Sequence, residues 1–513
     1  MAGINYTSQS VPASHKALNG GLNSSSGPLG LQDNESSDLQ NIDFNKFGSI
    51  KKRNGYDTLN SAATSGGHHI DGLHWYEFIT AGATVRKALC VTAGWIKKMD
   101  DLDGTWDDVT GGLTITSENH CSFANFLNVA YVVNGKDAPF QYDGTSCNNS
   151  TMPVGVTIPK FVAEYNNYLF YAHVTQGGSL RASRLHWSAL NDTGTWSATD
   201  YVDIARDDGQ EIAGIKVLAD RLVVYKTRSI YNLFYTGDAD VPFILPGGGK
   251  SNSEVGCVAP HSIQEVLNGH IFLSHDGFYF YDGNNATKIS DKVSTTLQSF
   301  NQTRYDQVVS MVQKDKNKYW AAFPSSSAST NDRVMVFDYF NNAWTVYVGM
   351  APKAMAAFYV DGDEETPYFG DYNGFVYEAD TGTDDNPLGV ATAIDAYYWT
   401  NWKDYSDLID KKAAVQAVLF YQITTSSVLS FGYSYDFETG VQFSRSINIT
   451  TSGDIYGAGV YGTATYAGEG GATSRIDLTG RGRVVRFKFS NATVDEVFQI
   501  DGFGILPHLE TNV

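Results

Sequence analysis

Short apolar runs separated by turn residues dominate the sequence, and this pattern predicts strands rather than helices. Between about residues 66 and 385, an apolar strand is followed by a turn and then by an aromatic strand that ends near Asp or Gly. Residues 277–283 show this arrangement most clearly. The pattern recurs about seven times with a period of roughly 40–50 residues, which is typical of propeller blades.

The aromatic strands are apolar on both faces. Phe278, Tyr279, Phe280 and Tyr281 follow one another without an intervening polar residue. A strand needs that composition when both faces of its sheet are covered, and each blade of a propeller is covered by its two neighbours. We therefore predict an all-β fold with a degenerate β-propeller at residues 66–385.

The two flanks of this region differ from it. Residues 386–513 contain long strands, such as 428–435 and 483–489, which predict a C-terminal β-sandwich. A helix is conceivable there only at residues 404–417. Residues 1–65 are rich in Ser, Asn and Gly, so we expect no core of their own and assign them to an extended N-terminal arm.

Spaced apolar anchors and a basic triplet distinguish this arm from a disordered tail, which is the alternative explanation of its composition. Ser36 or Ser37 could cap one helical turn that places Leu39 and Ile42 on the same face. We expect the arm to lie on another domain or subunit. Its candidate contact residues are Leu22, Leu29, Leu39, Ile42, Phe47, Lys51, Lys52, Arg53 and Tyr56.

The charge balance narrows the classes of partner. The 513 residues include 36 Lys plus Arg and 56 Asp plus Glu, a formal net charge of −20. Sequence-specific binding of DNA or RNA is disfavoured, because tight binding to a phosphate backbone requires Lys and Arg side chains that displace its counterions. No basic segment followed by an apolar one begins the chain, and no apolar run approaches the ~18 residues of a membrane span. We expect neither a signal peptide nor a membrane-spanning segment.

Candidate chemistry is sparse. The four cysteines are scattered, and neighbours such as His120 and Cys121 point to opposite faces of a strand, so they form no nucleophile–base pair. The acidic runs 100–108 and 361–365 are explained as solvated loops, because the bidentate Glu that closes an EF-hand is absent from the first. Residues 101–106 and 191–196 faintly resemble the Asp-box turns of sialidases. We predict no catalytic residue, metal site or cofactor.

A series of short motifs in the N-terminal segment resembles the start of the β-propeller tail proteins of tailed bacteriophages. That family includes the tail nozzle, or lower tail-tube protein, of short-tailed phages and related stabilisation or hub proteins. The motifs are Gly21-Leu22-Asn23, Pro28-Leu29, Glu35, Asp38-Leu39-Gln40-Asn41, Phe47-Gly48-Ser49-Ile50 and Lys52-Arg53-Asn54-Gly55-Tyr56.

The resemblance implies a structural protein of the virion, assembled in the host cytoplasm. It implies a ring, usually of six copies, below the portal–adaptor proteins and near the tail fibres. Viral DNA would pass through the ring without sequence-specific binding. An acidic lumen would repel the duplex and let it slide, so we expect carboxylates to line it.

Two other functions stay open at this point. One is a receptor- or glycan-binding propeller, which would need exposed aromatic residues on one rim. The other is a polysaccharide-degrading tail enzyme, which would need paired carboxylates in a deep pocket. If the chain forms a nozzle, a gate loop is expected near its distal end, and the long Gly-rich stretch 457–471 is the candidate.

Overall fold

Strands make up nearly all of the regular structure in the described residues, and they divide between two units. The computed structural model describes residues 13–45, 47–80, 82–100, 102–360, 364–405, 408–422, 426–449 and 471–510. One unit, here called the propeller unit, comprises residues 57–334 and 350–379. The other, here called the sandwich unit, comprises residues 1–56, 335–349 and 380–513. The proposed gate at 457–471 falls almost entirely outside the described residues.

Antiparallel repeats of three or four strands follow one another through the middle of the chain. Repeats 1 and 2 comprise Ile70–Thr80, Ala83–Thr92, Trp95–Asp100 and Asp107–Asp108, then Ser122–Phe126, Val129–Val133, Phe140–Tyr142 and Cys147–Asn149. Repeats 3 and 4 comprise Val156–Tyr165, Tyr168–Gln176, Ser179–Trp187 and Tyr201–Asp203, then Ile212–Leu218, Arg221–Lys226, Ile230–Tyr235 and Phe243–Ile244. Repeat 5 comprises Gln264–Val266, Gly269–Ser274, Gly277–Tyr281 and Ala286–Lys288.

Two more repeats complete the series. Repeat 6 comprises Val309–Gln313, Lys318–Phe323, Arg333–Asp338 and Ala343–Val348, and repeat 7 comprises Ala354–Val360, Glu364–Gly370 and Val376–Thr381. Two short strands are Gly55–Thr58 and Asp385–Asn386. The one α-helix in the described residues is Ser294–Gln298, and the 3-10 turns are Thr64–Gly66, Pro246–Gly248, Pro260–Ser262, Asp291–Val293, Gln302–Gln307 and Pro387–Gly389.

Apolar layers between successive repeats close the propeller unit into a ring. Phe278 of repeat 5, for example, packs edge-on against Tyr319 of repeat 6 at 5.6 Å between ring centroids. Ile70 of repeat 1 shares a buried cluster with Phe358 and Tyr368 of repeat 7, so the last repeat meets the first. The strands are apolar on both faces because each repeat is covered on both sides.

An Asp–Gly turn recurs where the third strand of a repeat meets the fourth. In repeat 5 the carboxylate of Asp282 accepts the backbone N–H groups of Asn284 and Asn285 at 2.8 and 2.7 Å. The Tyr281 hydroxyl donates to the Gly283 carbonyl at 2.8 Å. Repeat 2 repeats this geometry with Tyr142, Asp143 and Gly144. The aromatic strand ending near Asp and Gly is therefore one structural module: the Asp makes the turn and the Tyr fastens it.

Two packed sheets form the sandwich unit apart from residues 335–349, which are part of repeat 6. The first contains Ala13–His15, Ile42–Phe44, Ile50–Lys52, Lys411–Gln422, Gly471–Asp477 and Gln499–Glu510. The second contains Ser36–Gln40, Ala396–Thr400, Ser427–Tyr435, Phe443–Ile449 and Val485–Asn491. Phe487 and Phe489 of the second sheet lie 5.4 and 5.6 Å from the ring of Phe503 in the first. The predicted all-β fold of propeller and sandwich is confirmed.

The N-terminal segment is extended, and its strands pair with strands of the same chain. Ala13–His15 lies along Phe503–Ile505, and Ser36–Gln40 lies along Tyr397–Thr400. The helical turn expected at Ser36 or Ser37 is wrong, because those backbone groups bond to a neighbouring strand instead. The helix conceivable at 404–417 is also wrong: Lys411–Gln422 is a strand bonded on both edges.

In the part of the chain that the structure describes, no helix is both long and apolar enough to cross a membrane.

Candidate functional site

The basic triplet at 51–53 was expected to contact a partner, and the structure places its second and third residues in the interior of the sandwich unit. The Arg53 guanidinium donates two parallel hydrogen bonds to the Asp385 carboxylate, at 2.8 and 2.7 Å. Its remaining donors reach Asn41 Oδ1 and the carbonyls of Asn54 and Val348 at 2.9 Å each. All five N–H groups are therefore used, as a fully buried arginine requires.

Lys52 is equally enclosed. Its ammonium donates to Asn491 Oδ1 and to the carbonyls of Thr493 and Glu496 at 3.2, 3.1 and 2.7 Å. Burial lowers the pKa of Lys52 below its ordinary value, and nearby carboxylates oppose that shift. Lys51 is only half-buried and donates to Asn54 Oδ1 at 3.1 Å. Lys52 and Arg53 thus fasten the N-terminal segment to its own unit.

The apolar anchors divide into two groups. Leu22, Leu39, Ile42 and Tyr56 are buried in the same chain, and they belong to the sandwich unit. Leu29 and Phe47 are 49% and 78% exposed. Of the nine predicted contact residues, these two and Lys51 keep surface that another subunit could cover. Their contact with a partner stays a prediction.

A cavity of about 410 Å³ runs along the axis of the propeller unit. It is lined by the first strand of every repeat, because the first strand is the innermost one in each sheet. Those strands run side by side in the same direction, so the residues just before them gather at one mouth of the cavity. That mouth carries the imidazoles of His120 and His261, which lie 5.0 Å apart between ring centroids.

Neutral histidines characterise the cavity. Burial lowers the pKa of His74 to about 4 and that of His261 to about 4. His74 stacks on Phe123 at 4.8 Å and its Nε2 pairs with Asn125 Oδ1 at 2.7 Å. Asp71 lies at the same mouth, and burial raises its pKa to about 6. At neutral pH these imidazoles are uncharged hydrogen-bonding groups.

Metal and nucleophile chemistry finds little support in the described residues. No group of three or more His, Cys, Asp or Glu there could hold a metal ion. The four cysteines are free and buried, and burial raises the pKa of Cys257 to about 12, far from a reactive thiolate. The Asp-box-like stretch at 191–196 is a turn: Asp192 accepts the Gly194 N–H at 2.8 Å, and Trp196 packs on Tyr171 at 5.0 Å.

Sequence reasoning missed the histidine-bearing mouth. His120 was considered only with its neighbour Cys121, and His261 and Lys353 carried no motif. Each of these residues lies shortly before the first strand of a repeat. That shared position was the available signal, since equivalent connectors of a propeller meet at one end of its axis.

Comparison with known proteins finds a family that is similar to the middle of this chain. Residues 102–338, which span repeats 2 to 5 and most of repeat 6, match the family described as "Bacteriophage P22 Gp10, beta-propeller". No curated protein sequence matches the chain.

Similar solved structures include "YCF48 bound to D1 peptide", with 9% identity, a TM-score of 0.40 and coverage of 64% of this chain and 95% of the other. A complex of BBS1N with ARL6DN shows 10% identity, a TM-score of 0.41 and coverage of 64% and 97%. PorZ of Porphyromonas gingivalis shows 14% identity, a TM-score of 0.39 and coverage of 67% of this chain and 42% of the other.

The family match agrees with the motifs of the N-terminal segment and with the sheets of the middle region. It supports a structural component of the phage particle. The match of residues 102–338 therefore supports the resemblance of this chain to the β-propeller tail proteins of phages.

Proposed function

We propose that this protein forms the tail nozzle of a short-tailed phage, a ring of six copies below the portal–adaptor through which DNA leaves the particle. The observation that carries the proposal is the match of residues 102–338 to a phage structural propeller. The role is structural and non-enzymatic, and its partners are further copies of the chain, the adaptor proteins and the tail fibres.

The axial cavity of one propeller is too small for DNA, and this supports a bore that is formed between several copies of the chain. A duplex about 20 Å wide with a rise of 3.4 Å occupies roughly 1,000 Å³ per base pair. To pass along a five-residue inner strand such as Ser122–Phe126, about 17 Å long, a duplex needs about five times that volume. The axial cavity encloses only about 410 Å³. DNA therefore cannot thread a single propeller, and a conduit requires several copies around a common axis.

The net charge of −20 supports the same role. An acidic wall repels a polyanion, so the duplex moves without being held by counterion release. Under this proposal the carboxylates that face the bore outnumber the Lys and Arg side chains there.

The proposal is tested by mixing the purified chain with portal–adaptor complexes of a short-tailed phage and separating them by gradient sedimentation. We expect the chain to co-sediment with the adaptor at six copies per complex, quantified by mass spectrometry. Failure to co-sediment, combined with tight binding to purified host glycans, would instead favour a receptor-binding propeller.

A further inference from the structure

Four connectors of the propeller unit meet at one mouth of the axial cavity. His120, Gln307 and Lys353 lie just before the first strands of repeats 2, 6 and 7, and His261 lies just before that of repeat 5. These first strands run side by side around the axis. Residues that enter them therefore converge on the same end, although repeats 2 and 5 are not neighbours in the ring.

Side-chain contacts join the four connectors. Lys353 Nζ lies 3.1 Å from His120 Nε2 and donates to Gln307 Oε1 at 3.2 Å. The His120 ring faces His261 at 5.0 Å, and Ser310 of repeat 6 donates to the His261 carbonyl at 2.7 Å. We call His120, His261, Gln307 and Lys353 the mouth cluster. It links repeats 2, 5, 6 and 7 across the axis.

We propose that the mouth cluster is an acid-sensitive plug, which closes this end of the axial cavity while His120 is neutral and opens it when His120 takes up a proton. An ammonium group has only donors, so Lys353 bonds to His120 through the unshared electron pair of Nε2. A proton from solvent that binds Nε2 occupies that pair. The hydrogen bond is lost, and two cations then face each other.

The surroundings of His120 oppose its protonation. Burial, with Lys353 and His261, holds the pKa of His120 well below its ordinary value. Burial lowers the pKa of His261 as well, and the nearby charges of Lys160 and Lys353 lower it further. Burial lowers the pKa of Lys353, and the carboxylates of Asp71, Asp306 and Glu118 oppose that shift and favour its charged form. The plug is therefore stable at neutral pH and is set to open in acid.

Hydrogen–deuterium exchange of the full chain tests this proposal. The readout is the exchange rate of peptides covering residues 116–126, corrected for the intrinsic pH dependence, at pH 7 and pH 4.5. We expect these peptides to exchange at least about tenfold faster at pH 4.5. A tenfold change in the opening equilibrium corresponds to a difference of one pKa unit between the closed and the open state. Far-UV circular dichroism verifies that the propeller remains folded.

Two substitutions at His120 separate protonation from general loosening. His120→Gln keeps an acceptor for Lys353 and cannot titrate, so its exchange should rise much less between pH 7 and pH 4.5 than that of the wild type, with His261 accounting for the remainder. His120→Lys imitates the charged state and should exchange fast already at pH 7. His275→Gln, at an exposed histidine, is the matched control and should behave as the wild type.

Equal protection of the wild type at both pH values in a folded protein overturns the proposal. Acid-induced exchange that persists undiminished in His120→Gln overturns it as well. If His120→Gln does not fold, His261→Gln, which removes the facing imidazole, is measured instead and should shift the opening toward lower pH. None of these outcomes bears on whether the chain forms a nozzle.

Discussion

At the scale of single residues, buried polar groups with complete sets of partners determine how this molecule is held together. Arg53 uses five donors, and Lys52 places its ammonium against three oxygens. A buried charge is tolerable only when it is matched in this way, and removing one partner leaves the other uncompensated.

Substituting Arg53 by Met should lower the free energy of unfolding of the sandwich unit by about 3–5 kcal/mol, because Asp385 is left buried and unpaired. Urea unfolding followed by fluorescence measures the loss. The exposed Arg228→Met is the control and should change stability by less than about 0.5 kcal/mol. Equal effects of the two substitutions would show that Asp385 is not held by Arg53.

Histidine burial makes stability depend on pH. His270 donates through Nε2 to the Val217 carbonyl at 2.8 Å and accepts the Tyr225 hydroxyl through Nδ1 at 2.9 Å, so it is neutral. Burial lowers its pKa to about 4, below the ~6.5 of the unfolded chain. The unfolded state therefore binds more protons between these values.

The free energy of unfolding should consequently fall as pH drops from 6.5 toward 4. Above pH 6.5, His270 should make no pH-dependent contribution to it. Urea titrations at pH 7, 6 and 5 measure the slope. His270→Gln should have a shallower slope over that range, whatever its absolute stability. A slope as steep as that of the wild type contradicts the assignment of a neutral His270.

At the scale of elements, the Asp–Gly turn shows how much the sequence can reveal. The sequence showed aromatic strands ending near Asp or Gly, and the structure explains why: the carboxylate caps the turn and the preceding Tyr hydroxyl bonds across it. Local chemistry of this kind is visible in a sequence because all its partners lie within a few residues.

Asp282→Ala should destabilise the propeller unit by about 1–2 kcal/mol, since two backbone N–H groups lose their acceptor. Asp282→Asn should cost much less, because an amide oxygen accepts the same bonds. Thermal unfolding by calorimetry compares the two variants. If Asn is as harmful as Ala, the charge of Asp282, and not its turn geometry, is what matters.

The N-terminal segment shows where sequence reasoning ends. Leu39, Ile42 and Arg53 were recognised as contact residues, but the sequence does not show what they contact. Leu39 lies opposite Tyr398 and Arg53 bonds to Asp385, each more than 300 residues away, and Ile42 is buried in the sandwich unit. Nothing local distinguishes an anchor that docks on its own chain from one that docks on a neighbour. The mouth cluster escaped notice for the same reason, because its members are separated by 46 to 233 residues.

At the scale of the whole molecule, the assignment of residues 1–56 to the sandwich unit has a measurable consequence. Deleting residues 1–55 removes strands from both of its sheets together with Arg53. We expect the truncated chain to keep the calorimetric transition of the propeller unit, to lose that of the sandwich unit, and to fail to join tails. Normal incorporation of the truncated chain into particles would contradict a role of this segment in assembly.

The most direct test of the nozzle is electron microscopy of the chain assembled on a portal–adaptor complex, classified without imposed symmetry. The account predicts a ring of six copies with a bore wider than the ~20 Å duplex and with carboxylates along its wall. The absence of a ring on that template, or a bore lined by clusters of Lys and Arg, would contradict it.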